Sequence, residues 1–297
     1  MHTWVSDFYK EIFGTKVYKL SFDAGCTCPT RDGTKGTRGC IFCSQAGSGE
    51  FSVPFDDFSE ERKDIPDSKK ILNIPTAFKG AQNFIAYFQN YTNTYGDLKE
   101  LSKKWHKALS YEGIKGLALG TRPDCLGDDV LKELSKISEK HFVQLELGLQ
   151  TTNENTAAYI RRAFSNDVYF DAVKRIHQQA PRIHVVTHII FGLPGNTEQD
   201  MMNSVQDAIK AGTDGIKIMC LYVLTGTDLA DDYKAGKFQT FQMEEYFELL
   251  KKALKLIPES VIIHRLTGDP PKKLLIEPKW TTDKKRVMDC IKKLEQL

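Results

Sequence analysis

The stretch Ser21–Gln45, SFDAGCTCPTRDGTKGTRGCIFCSQ, holds four of the seven cysteines, at Cys26, Cys28, Cys40 and Cys43, and no other stretch brings even two together. A C-x2-C pair such as Cys40 and Cys43 can turn two thiolates toward one ion, and Gly33, Gly36 and Gly39 let the preceding loop fold back without side-chain clashes. One or both of Cys26 and Cys28 must then complete the site. Two metals suit it. A tetrahedral zinc would use all four thiolates in a structural knuckle; an iron-sulfur cluster could use three and leave one iron open for chemistry. Structural disulfides fit less well, because the cysteine total is odd and nothing reads as a signal peptide.

Outward from the loop, 17–22 (VYKLSF) reads as a short strand running straight into it, and the remaining chain is a long α/β alternation that a zinc knuckle would not need. Strands are expected at 83–89, 116–120, 142–149, 183–191, 215–223 and 261–266. Helices are expected at 98–111, 128–141, 153–160, 168–179, 197–211 and 242–256, with a short one at 68–79. The β-branched, apolar stretch 183–191 is the kind buried on both faces of a parallel sheet. Six or seven β/α units without a polar linker argue for one parallel, barrel-like domain, with active-site residues at the C-terminal ends of the strands.

The division expected is an N-terminal arm at 1–16 lying over the barrel mouth, a core at 17–266 that includes the cysteine loop 23–45, and a basic extension at 267–297. Residues 50–67 carry seven acidic and two basic side chains and read as a solvated connector. Past Thr267 the pattern stops, and eight Lys or Arg stand against five Asp or Glu. There Trp280 lies between Lys279 and the Lys284, Lys285, Arg286 cluster, either a grip for phosphate and a stacked base or a solvated face with one aromatic anchor. At 297 residues, 41% hydrophobic and net charge +2, the chain can bury a sizeable core, and its charge neither demands nor excludes nucleic acid. No run of about 18 apolar residues is present, so a membrane span is not expected and a reduced, cytoplasmic setting is.

DAG-x-TCPTRDGTKG-x-x-GC-x-FC resembles the cluster loop of radical S-adenosylmethionine (SAM) enzymes, in the branch related to the catalytic subunit of Elongator. The spacing Cys28-x11-Cys40-x2-Cys43 departs from the usual C-x3-C-x2-C, a stretched first interval familiar in that branch. The resemblance implies a partial TIM-type (βα)6 radical SAM barrel, a [4Fe-4S] cluster on Cys28, Cys40 and Cys43, and SAM as second cofactor. Cys26 stands where that family is commonly apolar and is left out of the ligand set.

The same resemblance runs through the strand ends. Thr92-Asn93-Thr94 takes the place of the usual GGE-like motif that holds the methionyl amine, and Gly120-Thr121-Arg122-Pro123-Asp124 matches a GTRPD motif, with Arg122 on the cofactor and Asp124 facing substrate or positioning a partner. Gln150 and, twelve residues on, Arg162 match a ribose and carboxylate pair, with Arg161 the competitor. Arginine suits a carboxylate because its donors form a planar fork. Glu146 alternates with Gly148 and Gln150 and so points into the pocket, where an unpartnered carboxylate would be costly.

His188, four before the first glycine of Gly192-Leu193-Pro194-Gly195, is implied as a ribose contact. His184 lies four residues away, about 13 Å along a strand and too far to chelate one ion with it. Tyr222 is tolerated as core at the bottom of a barrel, but at the top its hydroxyl is expected to line the adenine or substrate pocket, and Cys220 is expected as a buried small hydrophobe rather than a radical donor. The family implied, bacterial and about 300 residues long, modifies the wobble uridine of tRNA through a 5'-deoxyadenosyl radical, turning 5-carboxymethylaminomethyl into 5-aminomethyl. Its implied partners are tRNA, a flavodoxin or ferredoxin as electron donor and a downstream tRNA methyltransferase. Other readings are a radical SAM enzyme acting on a small metabolite or peptide, and a zinc-stabilised nucleic-acid-binding module without catalysis.

Overall fold

The computed structural model describes residues 2–55 and 82–295. The helix expected at 68–79 and most of the acidic connector lie outside the described residues. Eight parallel strands form the central sheet: β1 (Tyr18–Asp23), β2 (Val53–Pro54), β3 (Phe84–Phe88), β4 (Ile114–Thr121), β5 (Phe142–Gln150), β6 (His184–Phe191), β7 (Gly215–Cys220) and β9 (Ile262–Arg265). Their order is β2-β1-β3-β4-β5-β6-β7-β9.

Alternation along each strand separates two faces. On β5, Val143, Leu145, Leu147 and Leu149 point outward into the main core, while Gln144, Glu146, Gly148 and Gln150 take the other face. The outward face is covered by α2 (Leu98–Leu109), α3 (Asp128–Ser138), α5 (Asn166–Gln179), α6 (Glu198–Lys210) and α8 (Met243–Leu254), which bury Trp105, Leu131, Leu134, Tyr169, Ile176, Val205 and Leu250. Helices α2 and α6 begin at side-chain caps: Asp97 accepts from the Glu100 amide, and Thr197 with Asp200 forms a reciprocal capping box.

The inward faces enclose a lumen. Lys19 on β1 and Lys217 on β7, with four strands between them in the order, both reach the carboxylate of Glu146 at 2.5 Å, which only a strongly curled sheet permits. The fold is thus the partial α/β barrel expected. The short helices α4 (Glu154–Tyr159) and α7 (Asp228–Lys234) lie by its C-terminal end.

Two elements depart from expectation. Helix α1 (Val5–Phe13) does not cover the mouth; it plugs the opposite end. Its Phe8 stacks 4.6 Å from His184 and meets Phe142 at 6.2 Å, the residues that open β6 and β5, and Tyr9 Oη donates to Gln144 Oε1 at 2.8 Å. Apolar Phe8, Tyr9 and Phe13 pack there with Val17, Ile85, Tyr87, Ala118 and Phe142. The tail is also more ordered than its lost periodicity suggests. The stretch expected as one strand breaks after Cys220; β8 (Val223–Leu224) then pairs antiparallel with β10 (Leu275–Glu277). Helix α9 (Lys284–Leu294) sinks Val287, Ile291 and Leu294 into the main core.

Candidate active site

A cavity of about 260 Å³ opens among the C-terminal ends of the strands and is lined by Cys28, Cys40 and Cys43. The loop that carries them is braced from within. Arg31 Nη2 donates to the carbonyls of Cys43 (2.9 Å) and Ser44 (2.7 Å), and its guanidinium lies 5.5 Å from the Tyr91 ring centre. Gly39, next to Cys40, has φ +69°, and a Cβ there would come within 2.8 Å of Arg31 Nε. Gly49 passes so close to Asn90 that a Cβ would sit 1.9 Å from its Oδ1. These contacts hold the loop over the strand ends. Burial pushes the Cys40 thiol up to about 12, with Cys43 adding to the rise, and raises Cys43 as well. Cys26 packs against the main core and does not line the cavity.

The strand-end residues separate into those that reach the cavity and those that hold the ones that do. Thr92 lines it, and its Oγ1 is buried with no hydrogen-bond partner. Asn93 and Thr94 do not line it: Asn93 Nδ2 donates to the carbonyls of Phe88 (2.9 Å), Asn90 (3.0 Å) and Gly120 (2.9 Å), and Thr94 Oγ1 donates to Cys125 O at 2.7 Å. Arg122 lines it. Its Nε and Nη2 are each 2.9 Å from a carboxylate oxygen of Asp124, and Nη2 also donates to Arg162 O at 2.9 Å, which leaves Nη1 for a ligand. Asp124 itself sits behind Arg122 and also meets Lys35 at 2.6 Å; burial would raise its carboxyl, but these two cations hold it below the usual range.

Gln150 lines the cavity at φ +64°. With its amide nitrogen donating to the carbonyls of Gly148 (3.2 Å) and Leu149 (3.0 Å), its Oε1 is left for a ligand. Only glycine at 148 allows this fold-back, since a Cβ there would lie 2.3 Å from the amide atom that is Gln150 Oε1 in this orientation. Tyr222 lines the cavity too, and burial pushes its hydroxyl up to about 12.

Arg162 is placed differently from the expectation. It is 1% exposed and stands outside the lining, and all five of its N–H groups are taken within the chain. Nε donates to Phe164 O, Nη1 to Leu149 O and Thr151 O, and Nη2 to Glu154 and Asn166, at 2.6–3.2 Å. It ties the loop after β5 to the start of α5. Arg161, at φ +57°, turns away to pair with Asp228. Of Arg122, Arg161 and Arg162, Arg122 is the one that lines the cavity.

Deeper lies Glu146, fully buried with five donors: Lys19 Nζ (2.5 Å) and Gln144 Nε2 (2.7 Å) on Oε1, and Lys217 Nζ (2.5 Å), Tyr87 Oη (2.6 Å) and His188 Nε2 (2.9 Å) on Oε2. Burial would raise its carboxyl, but Lys19, Lys217 and His188 together hold it well below the ordinary value. A carboxylate has about four lone-pair sites, so Glu146 has none to offer a cofactor. It organises the lumen instead. His188 is likewise committed to Glu146 through Nε2, and burial with nearby Lys217 keeps its ring below the usual histidine range, hence neutral. Further down, His184 and His264 share a hydrogen bond at 2.8 Å. Lys19, Tyr87, Gln144 and Lys217 escaped the sequence reading. Their signal was a lone lysine at an inward position of an apolar strand, in VYKLSF and again in GIKIMC.

The Radical SAM superfamily profile matches residues 33–208, and that of the Radical_SAM C-terminal domain matches 213–296. The chain belongs to the radical SAM superfamily. It is a radical SAM enzyme by this membership, and it falls in the branch related to Elongator. The protein named "Uncharacterized protein YtqA" of Bacillus subtilis is 38% identical over 285 residues, 96% of this chain and 86% of its own. The tRNA uridine(34) acetyltransferase of Methanocaldococcus jannaschii is 24% identical over 164 residues, 54% of this chain and 29% of its own. Among solved structures, the archaeal Elp3 of Methanocaldococcus infernus has a TM-score of 0.62 at 14% identity, covering 92% of this chain; the chain spans 62% of it. Radical SAM enzymes in general use SAM and a [4Fe-4S] cluster. The residues present fit both: three thiols on one cavity, with the orphaned Thr92 Oγ1, Arg122 Nη1 and Gln150 Oε1 beside them.

Proposed function

We propose that this radical SAM enzyme converts the wobble 5-carboxymethylaminomethyluridine of tRNA to 5-aminomethyluridine. The observation that carries the reading is the single cavity joining the three-cysteine loop to an enclosed polar lumen, in a chain similar to a protein named for tRNA uridine(34). Cys28, Cys40 and Cys43 would hold the cluster; Thr92, Arg122 and Gln150 would hold the polar ends of SAM. When bound, cluster and SAM supply a 5'-deoxyadenosyl radical, which takes hydrogen from an unactivated carbon. The protein's part is to place that carbon and keep water away. Asp124 locks the Arg122 fork, and Tyr222 lines the wall that the modified arm would meet. A base stacked in an anticodon cannot reach this enclosure, so it must be extruded. The electron comes from a small redox protein such as flavodoxin or ferredoxin, and the product amine suits a downstream tRNA methyltransferase.

The test is mass spectrometry of nucleosides from bulk tRNA incubated anaerobically with reconstituted enzyme, SAM and a reductant. Loss of 5-carboxymethylaminomethyluridine, gain of 5-aminomethyluridine and matching 5'-deoxyadenosine are expected. SAM cleavage with no change in any tRNA nucleoside would reject the tRNA reading and leave a metabolite or peptide as substrate. Iron and sulfide analysis separates cluster from zinc. Alanine at Cys28, Cys40 or Cys43 should each abolish the bound iron, and Cys26→Ala should retain most of it; loss of iron in Cys26→Ala would overturn the ligand set.

A further inference from the structure

Across four neighbouring strands one row of residues is in register: Gly148 on β5, His188 on β6, Lys217 on β7 and Arg265 on β9. All four line the cavity. Lys217 stands three residues before the end of β7, so its Cα lies about 10 Å below the end of that strand. Its ammonium has three N–H groups. One donates to Glu146 Oε2, the nitrogen also sits 5.2 Å from the Tyr87 ring centre, and among the described residues the other two have no hydrogen-bond acceptor.

The charges around it do not balance. Two ammonium groups, Lys19 and Lys217, share the Glu146 carboxylate, and the cavity's other carboxylate, Glu50, in the loop after the cysteines, pairs with neither lysine. His188 and Tyr87 reach Glu146 as neutral donors. Arg265, next in the row, is tied to Asp269. When both lysines are protonated one positive charge is left over, and it belongs to the lysine that faces the cavity. A buried charge without a counter-charge is costly. Lys217 shows that cost: burial, with repulsion from Lys19 adding to it, outweighs attraction by Glu146 and brings the ammonium down to about 7. A single surplus charge with two unfilled donors suits a monoanion with two oxygens rather than a phosphate dianion.

We propose that Lys217 receives a carboxylate carried by the substrate, making the lumen floor the specificity pocket of this enzyme. The inference rests on the tRNA reading only for which carboxylate this is, the carboxymethyl end of the wobble modification. Bound there, the substrate would turn one carboxylate between two lysines into two pairs. Its reactive carbon, next to the carboxylate, would be held above the floor on the side of the three thiols.

The experiment compares binding of anticodon stem-loops to the reconstituted enzyme by fluorescence anisotropy. The loops carry 5-carboxymethylaminomethyluridine, 5-aminomethyluridine, 5-carboxymethyluridine or plain uridine. Wild type should prefer each carboxylate-bearing loop over its counterpart without a carboxylate by about tenfold or more. Lys217→Met should abolish that preference. Lys19→Met should also shrink it, since Glu146 and Lys217 then balance each other although Lys19 does not touch the cavity. Both variants leave Glu146 one lysine, and both should fold and hold iron; if one does not, the other decides. A preference that survives in the variants, or is absent in wild type, overturns the proposal. Nucleoside conversion is measured in parallel. Lys217-dependent preference without conversion would sink the wobble reading and leave the carboxylate pocket standing, whereas conversion without Lys217 dependence would do the reverse.

Discussion

Two arginines at the cavity do opposite jobs, and the difference can be measured. Arg162 directs all five N–H groups into its own chain, while Arg122, which lines the cavity, leaves Nη1 without a partner among the described residues. Arg122→Ala should weaken SAM binding about tenfold to hundredfold, the cost of a charge-assisted hydrogen bond of about 1.5–3 kcal/mol. Arg162→Ala should instead strip the carbonyls of Leu149, Thr151 and Phe164 of their donors and lower stability by about 3 kcal/mol. Calorimetric titration with SAM and thermal denaturation read the two effects separately; the reverse pattern would restore Arg162 as the ligand. The interval from Gln150 to Arg162 was legible in the sequence, but not the direction of the side chain. That is set by left-handed backbone at Arg161 (φ +57°) and Ala163 (φ +61°), and neither residue type announces such a turn.

At the scale of the element, β5 shows how a strand places a ligand group. Gly148→Ala would push a Cβ into Gln150 Oε1 and swing the amide off its carbonyls. SAM affinity should fall by roughly tenfold while thermal stability changes little, because a single neutral hydrogen bond is worth about 1 kcal/mol. A large loss of stability instead would mean that the Gln150 fold-back supports the sheet. Helix α1 is the converse case, an element that serves stability alone. Tyr9→Phe removes the hydroxyl that donates to Gln144 and meets Lys19 and should cost about 1–2 kcal/mol; Tyr9→Ala also removes a buried ring and should cost about 3–5 kcal/mol. Urea denaturation orders these variants, and equal values would show that the ring does not seal the floor.

At the scale of the molecule, the lumen charges couple stability to pH. Glu146 is held well below its ordinary 4.5, so it binds protons less readily when folded than when unfolded. Its contribution is complete above about pH 4.5 and is lost as pH falls through the lower folded value. Lys217, brought down from its ordinary 10.5 to about 7, acts in the other direction. Between those values the unfolded chain holds the proton that the folded one has released, so stability rises with pH across that window. Denaturation in urea across pH should therefore show a shallower acid limb for Glu146→Gln, and for Lys217→Met a gain in stability below pH 7 with loss of the rise above it. An unchanged profile in Lys217→Met would mean the lysine is neutralised by other means. On the outer surface, the tail reads as an anchored helix: Trp280 donates to Phe241 O at 2.8 Å and packs 5.7 Å from Tyr246, so it is not a platform for a base. Lys284 and Arg286 stay 70% and 60% exposed despite their carboxylate neighbours. Reversing Lys284, Lys285 and Arg286 to glutamate should weaken tRNA retention several-fold and flatten its salt dependence, with SAM cleavage in the absence of tRNA left as it was. Retention that ignores both salt and the reversal would remove the tail from the tRNA surface.

The sequence by itself determined the parallel α/β alternation, the cysteine loop and the strand-end motifs, because period, spacing and glycine placement are local properties that a linear chain displays. Six of the expected strands recur as β1, β3, β4, β5, β6 and β9, and the seventh as β7 with its end turned into β8. Only the tertiary structure decided what depends on convergence. The curl of the sheet brings Lys19, Glu146 and Lys217, nearly 200 residues apart at the extremes, onto one carboxylate, and nothing local to any of them encodes the meeting. It likewise decided that α1 closes the floor rather than the mouth, since an amphipathic helix carries its apolar face in its sequence but not the address of the ring that will bury it.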